Sequence, residues 1–353
     1  MDISFASRSS WHGGYADAVV PRLADPARLH QLAGRTMGTT WSLRFDNPAM
    51  RPLAAVREAV ESALARVIAQ MSHWEADAEI SRFNRAPAGT RHTLSTEFAR
   101  VMACALQWAE DSGGAIDPTV GALVASWGFG PDANDGPIDI DALEAARERT
   151  GWRKLAFDLA DDATATLTQP GGFALDLSGI AKGFAVDHGV EALQALGLED
   201  FLFEIGGELR GVGRRPGGQP WRVQVDGELP APVHVALDGL AIATSGDRWH
   251  QREHAGRRWS HTIDPRSGEP VAVGPASVTV LHAQCMHADA LATVLTVLGP
   301  EEGFAFAEAR GIAALFVAHA AGGDGPQSLR ATAGHSGSSS VCHARSMAVC
   351  LCR

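Results

Sequence analysis

Two separated stretches constrain this chain most: residues 173–183, FALDLSGIAKG, and residues 287–299, HADALATVLTVLG. The first reads as a short apolar strand that runs through a glycine-rich turn into a helix, an arrangement that aims backbone N–H groups at an anion. The second sets Asp289 and Thr293 four residues apart, so on a helix both oxygen side chains share one face. Leu291, Val294, Leu295 and Leu298 fall at core spacing on the other side. Oxygen ligands beside a phosphate cradle suit Mg²⁺ bound to a phosphorylated ligand, because Mg²⁺ prefers carboxylate, carbonyl and water oxygens. Each piece also has a structural reading. Asp289 can cap a helix that begins at Ala290, and Thr293 can be a solvated helical threonine.

Charge limits the partners. With 30 basic and 41 acidic residues the net charge is −11, which argues against a sequence-independent grip on nucleic acid, so any phosphate must be held locally. A chain of 353 residues that is 45% hydrophobic and 20% charged has the make-up of an ordinary globular protein, with length for two domains or one elaborate one. No run approaches the roughly 18 consecutive apolar residues of a transmembrane helix, so the chain is expected not to span a membrane. The five cysteines are an odd set with three crowded into residues 342–352, which is no disulfide framework. Cys342, His343, Cys350 and Cys352 fit none of the usual zinc spacings. Residues 1–33 show no basic start with an apolar core and no lipobox-like cysteine, so a cytoplasmic location is expected of the chain as written.

Taken in order, residues 1–33 are polar and punctuated by Ala and Pro, and read as a flexible lead-in. Residues 39–45, TTWSLRF, alternate as a strand after Met37-Gly38, where glycine serves either close approach to a ligand or a simple turn. Helical spacing covers 53–70. Residues 71–86 read as a loop with aromatic anchors, Trp74 and Phe83; Trp74 either covers the core edge, the favoured reading, or stacks on a planar ring. A helix is expected over 96–111, capped near Ser95 and stopped by Ser112-Gly113-Gly114. In 113–130, GGAIDPTVGALVASWGFG, Asp117-Pro118 fixes a turn whose glycines leave room for a flat ligand.

The pattern then predicts a helix over 141–149, a hairpin over 155–167, and a helix from the central turn to about 196. Strands are expected at 201–205, 222–225, 233–237, 240–244, 277–282 and 312–317. Gly206-Gly207 reads as tight packing or a bulge. ATSGD, 243–247, offers the hydroxyls of Thr244 and Ser245 before another glycine turn. His261, in WSHTIDPRSGEP, reads as a general base or as an ordinary polar loop residue. From 320 onward Gly, Ser and Ala dominate without periodicity, as in a disordered tail.

Eight motifs in one order resemble the ApbE family, the FAD:protein FMN transferases that flavinylate other proteins: MGTTW, MSHWEADAEISRFN, SGGAIDPTVGALVASWGFG, DLSGIAKGFAVDHGV, EIGGELRGVG, ATSGD, SHTIDPRSG and ADALATVLTVLG. The resemblance runs from about Arg35 to Val317 and implies a single domain over 34–319, between the lead-in and the tail at 320–353. The implied fold is α+β, mixed β-sheets with flanking helices in an ApbE-like, T-fold-like arrangement.

Residue by residue, the resemblance implies a metal held by Asp289, Thr293 and the main-chain carbonyl of Gly179, with Asp176 and Lys182 contacting FAD. Trp74 falls at the aromatic position that faces flavin or adenine, and Met37, Ala115, Ile116 and Asp117 line the same pocket. His261 matches the histidine suspected of activating the acceptor hydroxyl, with Ile263 close by. The implied reaction is Mg²⁺-dependent transfer of FMN from FAD to a Thr or Ser hydroxyl of an acceptor flavoprotein with an Asp/Ser-Gly-Ala-Thr/Ser-like motif, releasing AMP. The alternatives are a Mg²⁺-dependent FAD pyrophosphatase giving FMN and AMP, or a non-enzymatic FAD-binding protein. Many relatives are exported, so the resemblance makes the periplasm the alternative location if the true start differs.

Overall fold

The computed structural model describes residues 29–332 apart from 132, 134–136, 161–163, 226–231, 247–250, 255–256, 272–274 and 319–327. Residues 1–28 of the expected lead-in, the end of the expected domain at 319, and the C-terminal Cys342, His343, Cys350 and Cys352 lie outside the described residues. In chain order the strands are β1 (His30–Thr36), β2 (Thr39–Phe45), β3 (Arg91–Thr93), β4 (Ala156–Leu159), β5 (Ala165–Thr168), β6 (Phe201–Ile205), β7 (Glu208–Val212), β8 (Trp221–Gln224) and β9 (His234–Leu237). They continue with β10 (Ala241–Ser245), β11 (Gln251–His254), β12 (Arg257–Ser260), β13 (Ile263–Asp264), β14 (Glu269–Pro270), β15 (Pro275–His282), β16 (Ala313–Ala318) and β17 (Ser328–Ala331). The α-helices are α1 (Leu53–Met71), α2 (Glu79–Asn84), α3 (Thr96–Asp111), α4 (Gly121–Ser126), α5 (Ile140–Glu148), α6 (Ala181–Ala195) and α7 (Cys285–Arg310).

The architecture is α+β. Eight strands form one sheet in the order β1-β2-β6-β7-β10-β15-β16-β17, antiparallel at every pairing. Alternation explains how it is covered: Phe201, Phe203 and Ile205 of β6 turn to one face and Leu202 to the other. On the first face lie α6 and α7, with α1 and α3 packed outside them over a large apolar core. The opposite face is covered by the β8–β9 ribbon through Trp221, Val223 and Leu237. A separate cluster of Leu123, Trp127, Leu143, Ala146, Trp259 and Ile263 joins α4 and α5 to β12 and β13.

Several expectations are corrected. The sheet's first strand begins at His30, inside the segment read as lead-in, and its last, β17, lies inside the segment read as tail, where it pairs with β16. Residues 79–84 of the expected loop are helical, with Ile80 and Phe83 buried. Residues 173–177 are extended but join no sheet beyond one parallel bridge, Val120 to Ala174. Side chains replace a neighbouring strand there: Asn84 Nδ2 donates to Leu175 O at 3.0 Å, and Leu175 N donates to Asn84 Oδ1 at 2.7 Å. Ser95 precedes α3, but its side chain makes no capping bond.

The largest correction concerns α7. It starts at Cys285, not Ala290, so Asp289 stands inside the helix and does not cap it. The N-terminal bond comes from another helix, because Asp187 Oδ2 of α6 accepts from Met286 N at 2.9 Å. Up to Leu298 the helix is buried on nearly every side, so Asp289 does not face away from the apolar stripe toward solvent. This is the one helix among the described residues long and apolar enough to cross a membrane by length and composition, and it is spent on the core, packed on α6, β10 and β15 with a break at Gly299-Pro300.

Candidate active site

The central turn and α7 meet at the end of the sheet. Residues 178–180 turn into α6, and Gly183 in its first turn lies directly under α7. A Cβ on Gly183 would strike the Cys285 carbonyl and come within 2.7 Å of Asp289 Cβ, so only glycine lets the two helices close. Asp289 Oδ2 then accepts from Gly183 N at 2.8 Å. One turn along α7, Thr293 Oγ1 lies 3.5 Å from the Gly179 carbonyl. Gly183→Ala is expected to destabilise the fold by about 1–3 kcal/mol, the usual cost of overpacking, read as a lower midpoint in chemical denaturation.

A charged trio lies beside this contact. Lys182 Nζ donates to Glu208 Oε1 at 2.5 Å, and Asp289 is close enough to add to the field. Burial works against the Lys182 ammonium, but Glu208 and Asp289 outweigh it and hold its pKa above the ordinary value. Burial pushes Glu208 up to about 7 despite Lys182, and it also raises Asp289 against Lys182 and the Gly183 N–H. Two buried carboxylates thus face one ammonium, and Glu208 Oε2 has no hydrogen-bond partner among the described residues.

This trio opens into a cavity of about 1190 Å³. Of the residues expected at the site, Trp74, Ala115, Ile116, Asp117, Asp176, Gly179, Lys182, His261, Ile263, Asp289 and Thr293 all line it. Met37 does not. It occupies the β1–β2 turn at φ 46° and packs against the main core. Trp74 is 68% exposed at the cavity wall, which overturns its reading as a cover for the core edge. Asp117 is buried with its carboxylate committed: Oδ1 accepts from Thr119 N and Oγ1 at 2.8 and 2.6 Å, and Oδ2 from Trp152 N at 2.9 Å. Asp176 Oδ1 accepts from Ser178 N at 2.8 Å and stands 4.0 Å from His73 Nδ1.

His261 lines the same cavity. It follows β12, whose Trp259 donates from Nε1 to Trp127 O at 3.1 Å, and its ring meets Phe129 edge to face with centroids 6.3 Å apart. Glu208 is the residue that sequence reasoning passed over. The available signal was a carboxylate directly after the Gly206-Gly207 turn in EIGGELRGVG, at the start of a strand, where an acid turned inward needs a partner.

The fold is that of the ApbE flavin transferases. The structure superposes on the apo flavinyl transferase ApbE of Pseudomonas stutzeri with a TM-score of 0.78 and 37% identity, covering 86% of this chain and 95% of that one. Against the flavin transferase ApbE of Vibrio cholerae the TM-score is 0.77 at 36% identity, covering 86% and 98%. Curated relatives include the FAD:protein FMN transferases of Vibrio cholerae, 38% identical over 83% of this chain and 88% of that one, and of Haemophilus influenzae, 35% identical over 82% and 86%. The ApbE family model matches residues 37–316. The chain belongs to the ApbE family and is a transferase.

Proposed function

We propose that this protein moves the FMN half of FAD onto a Thr or Ser hydroxyl of an acceptor flavoprotein, with Mg²⁺ required. The observation that carries the reading is the meeting of Asp289, Thr293, Gly179 and Lys182 in one wall of a cavity that also holds His261. The donor set fits a hard divalent cation: a buried carboxyl group, a hydroxyl and a carbonyl, beside a second buried acid, Glu208, whose Oε2 has no hydrogen-bond partner among the described residues. Asp289, Thr293 and the Gly179 carbonyl would hold that ion, which when bound neutralises and orients a pyrophosphate.

The chain's own groups supply the rest. Lys182 carries positive charge to the phosphates, kept cationic by Glu208. Trp74 offers an exposed ring on which flavin or adenine stacks. His261 accepts the proton as the acceptor oxygen bonds to the FMN phosphorus, the bond to the AMP phosphate breaks, and AMP leaves. Such a displacement depends chiefly on positioning and charge stabilisation, which a rigid cradle provides.

The test is mass spectrometry of a candidate acceptor carrying an Asp/Ser-Gly-Ala-Thr/Ser-like motif, after incubation with FAD and Mg²⁺. A covalent gain of one FMN supports transfer, whereas free FMN and AMP with an unmodified acceptor points to hydrolysis. Chelation of the metal is expected to stop labelling. Trp74→Ala is expected to weaken FAD binding more than Trp74→Tyr, by about 0.5–1.5 kcal/mol for the stacking that Tyr keeps. Titration of flavin fluorescence measures it, and equal affinities place the ring outside the binding contact.

A further inference from the structure

Among the described residues the sheet is open at one internal position. β10 pairs with β15 along its whole length, from Ala241 to Ser245, but with β7 only at Ala241 and Ile242. Continued past Ile242, the register sets Ala243 against Glu208, the first residue of β7, and Thr244 against Gly207, where the hairpin turns back, so among the described residues no strand pairs with the β7 side of Thr244 and Ser245. The phase of the ladder tells which groups are left. Gly211 N donates to Leu240 O at 3.1 Å, so Leu240 turns its main-chain groups toward β7, and by alternation Ile242 and Thr244 do the same. The N–H and C=O of Thr244 therefore face the gap, without a partner among the described residues.

This gap belongs to the cavity. Thr244, Ser245, Gly206 and Gly207 line it together with His261. A Cβ built on Gly207 meets nothing within 4 Å, so the gap has open space above the hairpin turn. At about 1190 Å³ the cavity exceeds the ~300–1000 Å³ of a site for one small ligand, which leaves room for a second reactant. The walls of the gap are hydroxyls and main chain, not aromatic rings, so they suit a peptide backbone better than a stacked heterocycle.

The geometry points to Thr244 as the docking point for the acceptor: a short extended segment of the acceptor protein adds beside β10, exchanging N–H···O bonds with Thr244 and presenting its hydroxyl inside the cavity. This rests on the reading that the second reactant is a protein. ATSGD then has a role of its own, separate from the cradle that holds the phosphates.

Both variants lose the Thr244 hydroxyl and its 2.9 Å bond to Thr279 Oγ1 on β15, but Thr244→Pro also removes the N–H that faces the gap, whereas Thr244→Val keeps it, so the difference between the two isolates the main-chain donor. With FAD and Mg²⁺ saturating, the Pro variant is expected to raise the acceptor KM roughly tenfold over the Val variant, the scale of one or two lost main-chain hydrogen bonds. FAD affinity, read by flavin fluorescence, stays constant in both. Thermal unfolding of each variant verifies that it is folded. Amide exchange in the wild type gives a measurement free of any substitution: without FAD, a short synthetic peptide containing Asp-Gly-Ala-Thr is expected to protect the Thr244 amide. An acceptor KM in the Pro variant no higher than in the Val variant, a matching loss of FAD affinity, or an unprotected amide overturns the proposal. Should the wild type hydrolyse FAD without labelling any acceptor, the transfer reading fails, and protection of the Thr244 amide still decides the docking point.

Discussion

Asp289→Asn is expected to cut flavin transfer by about 10³-fold while the protein stays folded. The substitution keeps an oxygen for the Gly183 N–H, which Asp289 now satisfies at 2.8 Å, and removes only the charge. Loss of several kcal/mol of charge stabilisation at the phosphates gives that factor, each ~1.4 kcal/mol being tenfold. Asp289→Ala is expected to lose as much transfer and also stability, about 1–3 kcal/mol, because it strands a buried N–H between α6 and α7. Single-turnover transfer, calorimetric Mg²⁺ titration and urea unfolding separate the two effects. An Asn variant that binds Mg²⁺ and transfers like wild type would take Asp289 out of the metal site and leave it as a clamp between helices.

For His261→Ala, transfer and binding are expected to come apart. Removing a positioned general base slows transfer by roughly 10²–10⁴-fold, and FAD affinity changes little because His261 makes none of the contacts that build the cradle of Gly179, Lys182, Asp289 and Thr293. Transfer in the wild type should also fall in acid, since a protonated ring has no lone pair to accept with. Single-turnover rates at saturating FAD and Mg²⁺ across pH measure both. A rate loss matched by weaker FAD binding removes the ring from the proton transfer, leaving positioning and charge as the sources of rate.

Much of this was legible in the residues because local periodicity and tertiary structure agree. Helices α1 and α3 and strand β2 follow their patterns of 3.6 and 2, and Trp74 and residues 115–117 sit just past the ends of those two helices. What was hidden depends on partners far along the chain. Asp289 looked like a cap because the real start of α7 carries no side-chain cap of its own; Asp187, a hundred or so positions earlier, supplies the bond. Residues 173–177 looked like a strand because Phe173, Leu175 and Leu177 alternate inward, yet Asn84 takes the place of a neighbouring strand. Glu208 escaped because its meaning lies in Lys182 of another element. Strands β1 and β17 lie at the two rims of the sheet, where half-exposed faces leave a weak pattern.

The separate cluster of Leu123, Trp127, Leu143, Ala146, Trp259 and Ile263 has a further consequence. His261 is anchored to that cluster, whereas Ile180 and Ala290, which flank the cradle, belong to the main core. Cores that are packed apart open with different free energies, and a small one opens more often. Warming or mild denaturant would then release the base before it releases the cradle, giving a population that still holds nucleotide but no longer turns over. In hydrogen exchange, the amides around Trp259 would be the first to report it.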